Sequence, residues 1–250
     1  MVHEFRVEGL QIVPPNIATW RQLTSLSIDN VALTAVDPAV CTLTRLTRLE
    51  LHCNHLAVLP PALSALTALE RLTLHSNALE ALPTAIFALT RLTWLSANNN
   101  RIAELPPAIG VLTALERLSL HMNCLRTLPV ELGRCDRVQA LSLFHNKLAT
   151  LPDGLFAHLT RVETLSLARN RLAAVPADLF TLHSLHFLWL QDNALLTVPR
   201  FDALTALRKV WLDLNPGLAG PVDLRACATL EEYHADCGAI PPLHLALKGR

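Results

Sequence analysis

One cluster of side chains in this sequence has the residue types of a metal site. His52 and His75 lie 23 residues apart, with Cys53 and Glu50 close by in sequence. Imidazole and thiolate groups are the ligands that zinc and related divalent ions take in proteins. However, the sequence has no Cys-x-x-Cys or His-x-x-x-His spacing. We therefore expect a polar binding surface at these residues, with no metal and no other cofactor.

A row of serines near two histidines has the residue types of a nucleophile and its base. The row comprises Ser96, Ser119, Ser142 and Ser166, and the histidines are His121 and His145. Nucleophilic catalysis also needs an oxyanion site and a substrate pocket, which a flat row of strand residues does not provide. The sequence also lacks the glycine-rich loops that bind nucleotide phosphates. We predict that the protein is not an enzyme.

The regular spacing of these residues reflects a repeat of about 23 residues that runs through most of the chain. Successive units begin at Leu23, Leu46, Leu69, Leu92, Leu115, Val138, Val162, Leu185, Leu207 and Leu230. The units follow the pattern L-x-x-L-x-L-x-x-N-x-L-x-x-L-P, with Val31 and Gly238 in place of Asn in the first and last of them. Chance does not keep so many positions in phase. The repeat predicts a solenoid in which each unit packs on its neighbours.

The local pattern within a unit predicts two elements. The alternation in L-x-L is typical of a short β-strand, and the segment after Pro60, with Leu63 and Leu66 three apart, favours a helical turn or a 3₁₀ helix. Stacked units then form an α/β solenoid, a horseshoe with a parallel sheet on its concave side and helical or 3₁₀ segments on its convex side. We interpret residues 1–250 as one domain.

The domain is expected to have capped ends. Residues 1–22 are interpreted as an N-terminal cap, 23–229 as nine full repeats, and 230–250 as a degenerate last repeat with a C-terminal cap. Trp20 falls in the column of Leu66 and is expected in the core. A column of asparagines is expected to bond main-chain groups of adjacent turns: Asn54, Asn77, Asn100, Asn123, Asn146, Asn170, Asn193 and Asn215.

The repeat pattern resembles the leucine-rich-repeat superfamily over residues 10 to 240. The 23-residue L-P unit is most similar to the units of Ras-group intracellular repeat proteins and their bacterial relatives. This resemblance implies a scaffold that binds another protein. It does not identify the partner.

Positions 3, 5 and 7 of each unit, counted from its first residue, are expected to face the concave side. Aromatic residues make up 5% of the chain, yet five of them fall at these positions. Phe187, Trp189 and Trp211 form a predicted compact patch, the kind of surface that anchors a protein interface. The alternative is that the C-terminal cap covers the patch or that the rings only support one another.

The same face has an uneven distribution of charge. Arginines lie toward its N-terminal end, and Asp192, Asp213, Glu231, Glu232 and Asp236 lie toward its C-terminal end. This arrangement favours one orientation of a partner with complementary charge, the alternative being a solvated polar face. The predicted protein-binding residues are Arg48, Arg71, Trp94, Arg117, His121, Phe144, Phe187, Trp189, Gln191, Trp211 and Asp213.

Composition limits the partner and the location. Lys+Arg and Asp+Glu both number 21, so we expect no nucleic acid and no anionic membrane as partner. No signal-peptide pattern or membrane span is evident, and the six cysteines are scattered. We expect a monomeric, cytoplasmic, non-enzymatic scaffold that binds a protein on its concave face. The alternative is an exported pathogen effector of the same repeat type that binds a host protein.

Overall fold

The computed structural model describes residues 4–7, 16–236 and 239–240. The strands in these residues are β1 (Glu4–Val7), β2 (Ser25–Ile28), β3 (Arg48–Glu50), β4 (Arg71–Thr73), β5 (Trp94–Ser96), β6 (Arg117–Ser119), β7 (Ala140–Ser142), β8 (Thr164–Ser166), β9 (Phe187–Trp189), β10 (Lys209–Trp211), β11 (Val222–Asp223), β12 (Glu232–His234) and β13 (Ala239–Ile240). The 3₁₀ helices are η1 (Ile17–Thr19), η2 (Pro38–Thr42), η3 (Pro61–Ala65), η4 (Thr84–Ala88), η5 (Pro107–Val111), η6 (Val130–Arg134) and η7 (Ala177–Thr181).

Eleven of these strands form a single parallel sheet, in the order β1 to β10 followed by β12. Equivalent positions of neighbouring units lie opposite each other, as with Leu49 and Leu72. The 3₁₀ segments lie on the other side of the core, which confirms the predicted horseshoe solenoid. After β7 and β9 the return segments are turns without a 3₁₀ helix. No helix in the described residues has the length and apolar character that a membrane crossing requires.

The core is a continuous stack of apolar columns. The central residue of each inner strand is buried, and so are the inward-facing apolar residues of the 3₁₀ segments, such as Leu63 and Ile86. Strand and return segment therefore enclose one apolar core. Cys135 and Cys227 occupy the same column as Leu66 and are fully buried. Burial raises the pKa of each of these two thiols to about 11, as expected for apolar core residues.

The predicted asparagine ladder is present. Oδ1 of Asn77 accepts a hydrogen bond from the Leu56 backbone N–H of the preceding unit, at 2.9 Å. Its Nδ2 donates to the carbonyl of Leu51, also in the preceding unit, and to that of Leu74 in its own unit. Equivalent bonds are made by the other seven asparagines, at 54, 100, 123, 146, 170, 193 and 215.

The residue before each ladder asparagine lies in the left-handed region of backbone space. Cys53 has φ of 55°, Ser76 of 56° and Asn99 of 53°. The chain turns out of the strand at this residue, and the same conformation recurs although none of these residues is glycine. The turn therefore has one fixed geometry, whatever side chain occupies it.

The two ends depart from the sequence expectations. β1 adds a strand before the first full repeat, and Phe5 in it packs edge-on against Trp20 with ring centroids 4.5 Å apart. Trp20 is half-buried against the core, whereas the sequence predicted a core residue. β11 and β13 form a second, two-stranded parallel sheet that was not predicted. The segments 8–15 and 241–250, to which capping roles were assigned, lie outside the described residues.

The ladder predicts a large cost for removing one amide. Asn123→Ala deletes an acceptor for the Ile102 N–H and donors to the carbonyls of Ala97 and Leu120. The two carbonyls keep bonds from Asn100 and Asn146, so the Ile102 N–H is the group left unpaired. An unpaired buried group costs about 1–3 kcal/mol, and we expect the free energy of unfolding in urea to fall by about that amount. Gln22→Ala removes an exposed amide and is the matched control. A loss no larger than in this control would contradict the structural role.

Candidate protein-binding face

The candidate site is the face of the main sheet that carries positions 3, 5 and 7 of each unit. Positions 3 and 5 share this face because side chains alternate along a strand, and the residue between them is buried, as with Leu188 between Phe187 and Trp189. The parallel register places Phe187 opposite Lys209 and Trp189 opposite Trp211. The predicted columns are therefore real neighbours across the sheet.

The C-terminal part of this face carries an aromatic stack, formed by Phe187, Trp189, Trp211 and His234. The rings of Trp189 and Trp211 are 5.2 Å apart and inclined by 10°. Phe187 stacks on Trp189 at 5.9 Å, and His234 stacks on Trp211 at 5.9 Å. Each ring covers part of the next, so Phe187 and the tryptophans are half-buried. Aromatic contacts of this kind add about 0.5–1.5 kcal/mol to the burial itself.

Charged side chains border the stack in a local network. Lys209 Nζ lies 2.7 Å from Glu232 Oε2, and His234 Nε2 lies 3.1 Å from Glu232 Oε1. The hydrogen bond to Glu232 raises the pKa of Lys209, and the hydrogen bonds from Lys209 and His234 lower the pKa of Glu232. This network holds His234 beside Trp211 and neutralises part of the acidic end of the face.

A second aromatic group lies in the N-terminal half. The guanidinium carbons of Arg71 and Arg117 lie 4.0 Å and 5.1 Å from the ring centroid of Trp94, which is half-buried between them. Such cation–π contacts are worth about 0.5–1 kcal/mol each at exposed sites. Burial and the charge of Arg48 lower the pKa of Arg71. Among the described residues, no carboxylate forms an ion pair with Arg48, Arg71 or Arg117.

Between the two aromatic groups the face has an open depression of about 480 Å³. Its walls include Phe144 and Trp189, and its other lining residues are His121, Met122, Ser142, Thr164, Ser166 and Gln191. The depression exists because β7 and β8 carry small side chains, whereas their neighbours carry large ones. The predicted site did not include Met122, Ser142, Thr164 or Ser166. The small residues at positions 3 and 5 of β7 and β8 could have indicated a depression in the face.

Two acceptors near the depression lack donors. Gln191 Oε1 and Asp213 Oδ1 are buried and have no hydrogen-bond partner in the described part of the chain. Both residues occupy position 7, in adjacent units. A buried acceptor without a donor is costly, so a bound group that donates hydrogen bonds would gain free energy here.

His121 is held by the serine row. Its Nδ1 lies 2.8 Å from Ser119 Oγ and 3.3 Å from Ser142 Oγ, and burial lowers the pKa of the imidazole. One imidazole nitrogen therefore lies within hydrogen-bonding distance of two hydroxyl groups, and the tautomer of the ring sets which group donates. His145 is exposed and makes a tilted ring contact with Phe144 at 5.8 Å, so it does not join this cluster.

The predicted site residues all lie along this face, in three groups. Arg48, Arg71, Trp94 and Arg117 form the N-terminal group; His121, Phe144 and Gln191 border the depression; and Phe187, Trp189, Trp211 and Asp213 form the C-terminal group. The predicted acidic end is largely paired. Asp192 pairs with Arg169, and Glu231 pairs with Arg208.

The repeat matches a known protein family and is similar to solved structures. A family model described as leucine rich repeat matches residues 21–79, 44–102, 90–148 and 136–195. No curated protein sequence matches the chain significantly. Among solved structures, the leucine-rich repeat domain of APL1B is similar with a TM-score of 0.80 and 22% identity, over 95% of this chain and 68% of that one.

A second similar structure is the plant peptide hormone receptor RGFR1, solved in complex with RGF2. It has a TM-score of 0.78 and 24% identity, over 90% of this chain. This chain spans 38% of the length of that receptor chain. At these identities the likeness establishes the fold.

The lowered pKa of His121 predicts a pH dependence of stability. Burial holds the folded-state pKa below the usual 6.5, so the unfolded chain binds the proton more readily. Stability is therefore fully present above about pH 6.5 and is lost as the pH falls from there through the folded-state pKa. His121→Asn, which copies Asn98 at the same position of the preceding unit, should flatten this slope in urea unfolding measured from pH 7.5 down to pH 5. An unchanged slope would refute the assignment.

Proposed function

The chain belongs to the leucine-rich-repeat family, and from this premise we propose that it is a non-enzymatic scaffold that binds a partner protein on its concave face. The observation that carries this proposal is the aromatic stack. Phe187, Trp189 and Trp211 form a contiguous apolar surface on the open side of the sheet. Large apolar patches on a soluble protein are typical of interaction sites, and tryptophan is enriched among the residues that dominate binding energy.

The depression beside the stack supports the same proposal. It is lined mainly by apolar surface, and it lies between Trp189 and Phe144. A side chain of the partner that entered it would be buried against aromatic walls. Gln191, which lines the depression, would then accept a hydrogen bond that it lacks in the free protein.

The repeat subtype, the location and the assembly state are further parts of this proposal. The unit type similar to Ras-group intracellular repeats, the cytoplasmic location and the monomeric state rest on sequence alone. The complex of the similar plant receptor with RGF2 is a precedent for binding by this fold, and it says nothing of the present partner.

We expect the double variant Trp189→Ala/Trp211→Ala to lose its partner. Each truncation of such an anchor costs about 2 kcal/mol or more, about thirtyfold in Kd. The partner is first recovered from a native cell extract by cross-linking and then purified, and Kd is measured by calorimetry. Val111→Ala/Val130→Ala truncates two exposed residues of η5 and η6 on the opposite side and is the matched control. Equal affinity of the double variant and the wild type would overturn the proposed site.

The arginines predict how the partner associates. Because Arg48, Arg71 and Arg117 have no described carboxylate partner, they present positive charge at one end of the face. We expect the association rate constant to fall as salt rises from about 0.05 M to about 0.5 M, over which screening shortens the range of charge interactions. Arg48→Ala should reduce this dependence and leave the dissociation rate nearly unchanged. A rate independent of salt would indicate a merely solvated polar face.

A further inference from the structure

His52, Cys53 and His75 come together at the N-terminal end of the face. One nitrogen of each imidazole and the Sγ of Cys53 all lie within 4.8 Å of one another. The sequence spacing argued against a metal site here. Three structural features that the spacing does not reveal favour a metal site at these residues.

The first observation is a carboxylate that orients His52. Asp29 Oδ2 lies 3.4 Å from His52 Nε2, and Asp29 is itself held by hydrogen bonds from Ser27 Oγ and Arg6 Nη2. A carboxylate beside one imidazole nitrogen keeps the proton on that nitrogen and leaves the lone pair on the other. Metal-binding histidines in proteins have this outer partner as a rule.

The second observation is that the other nitrogen of His52 has nothing to bond. Nδ1 is buried, and among the residues that the structure describes it has no hydrogen-bond partner. Buried polar atoms in proteins are nearly always satisfied. A lone pair in this position is available to a metal ion.

The third observation is that the backbone of all three residues is held in place. The Cys53 N–H donates to the His75 carbonyl at 2.9 Å. The ladder amides of Asn54 and Asn77 donate to the carbonyls of His52 and His75, at 3.2 Å and 3.4 Å. The ligand side chains therefore project from a rigid frame, which lowers the entropy lost on binding.

We propose that His52 Nδ1, Cys53 Sγ and one nitrogen of His75 bind a single divalent ion of the zinc type, with Asp29 as the positioning residue of His52. A thiolate with two imidazoles favours zinc over magnesium or calcium, which prefer oxygen ligands. Binding forms two metal–nitrogen bonds and one metal–sulfur bond, and the thiol proton of Cys53 goes to solvent. The fourth tetrahedral position is open to water.

Binding requires a local rearrangement of the two rings. The imidazoles of His52 and His75 are stacked, 4.4 Å apart and inclined by 14°, whereas a metal lies in the plane of each ring that binds it. With metal–nitrogen bonds of about 2.0–2.1 Å and a metal–sulfur bond of about 2.3 Å, the donor atoms must also approach one another. His75 therefore rotates out of the stack, while Asp29 retains His52. Cys53 is exposed and its side chain can follow.

The test uses the full chain without a histidine tag, freed of metal. Titration with Co²⁺, followed by displacement with Zn²⁺, reports thiolate ligation by a sulfur-to-cobalt charge-transfer absorption, and calorimetry with Zn²⁺ gives the stoichiometry. We expect one ion per chain. Cys53→Ser should abolish the absorption, and His75→Asn should weaken binding by about tenfold or more.

The chain offers matched designs for these variants. Ser76 occupies the position of Cys53 in the next unit with the same left-handed backbone, and Asn98 occupies the position of His75 one unit further on. Both substitutions therefore copy a neighbouring unit and should fold, which thermal melting checks. Cys124→Ser and His145→Asn are controls that should bind metal like the wild type; His145→Asn copies Asn99, which has the same left-handed backbone at the same repeat position. Absence of binding at about 100 µM metal, or binding unchanged in Cys53→Ser and His75→Asn, would overturn the proposal.

Discussion

The asparagine ladder is the interaction on which the other features of this solenoid depend. The turn that leaves each strand buries main-chain groups that no sheet or helix partner can satisfy. One side-chain amide bonds three of these groups. Asn146, for example, accepts from the Leu125 N–H and donates to the Leu120 carbonyl, both in the preceding unit, and it donates to the Leu143 carbonyl of its own unit. Because these bonds cross from unit to unit, they fix the register as well as the turn. Every repeat position thereby becomes a straight column.

Columns spaced like strands in a sheet have a chemical consequence. Neighbouring strands lie about 4.8 Å apart, close to the separation at which planar rings stack. Two aromatic or imidazole side chains at the same position of adjacent units therefore meet face to face. Trp189 with Trp211 and His52 with His75 are two instances, one pair hydrophobic and the other the pair proposed above as metal ligands. Residues at the same repeat position of adjacent units are thus in contact, and their types determine the chemistry of that contact.

The 23-residue period made two things predictable: the fold and the set of residues on the concave face. It assigns each residue to a repeat position from its number alone. Contacts that depend on rotamers did not follow from it. Arg71 and Arg117 reach sideways to Trp94, Lys209 reaches Glu232, and Asp29 reaches His52 across a unit boundary. The ends were also poorly predicted. β1 and the pair of β11 with β13 lie where the consensus fades, so the periodic signal carries no information there.

The shape of the face follows from where the columns change in size. Positions 3 and 5 both carry large side chains at β9 and β10, and position 3 also does at β5 and β6. At β7 and β8 the two positions carry Ala140, Ser142, Thr164 and Ser166. Since the strands are evenly spaced, the smaller side chains leave a hollow in the surface, which is the depression beside Trp189. A flat partner would leave this space filled with water and Gln191 Oε1 without a protein donor. A protruding segment that donates hydrogen bonds fills the space and satisfies the acceptor, so the face is better suited to a convex partner than to a flat one.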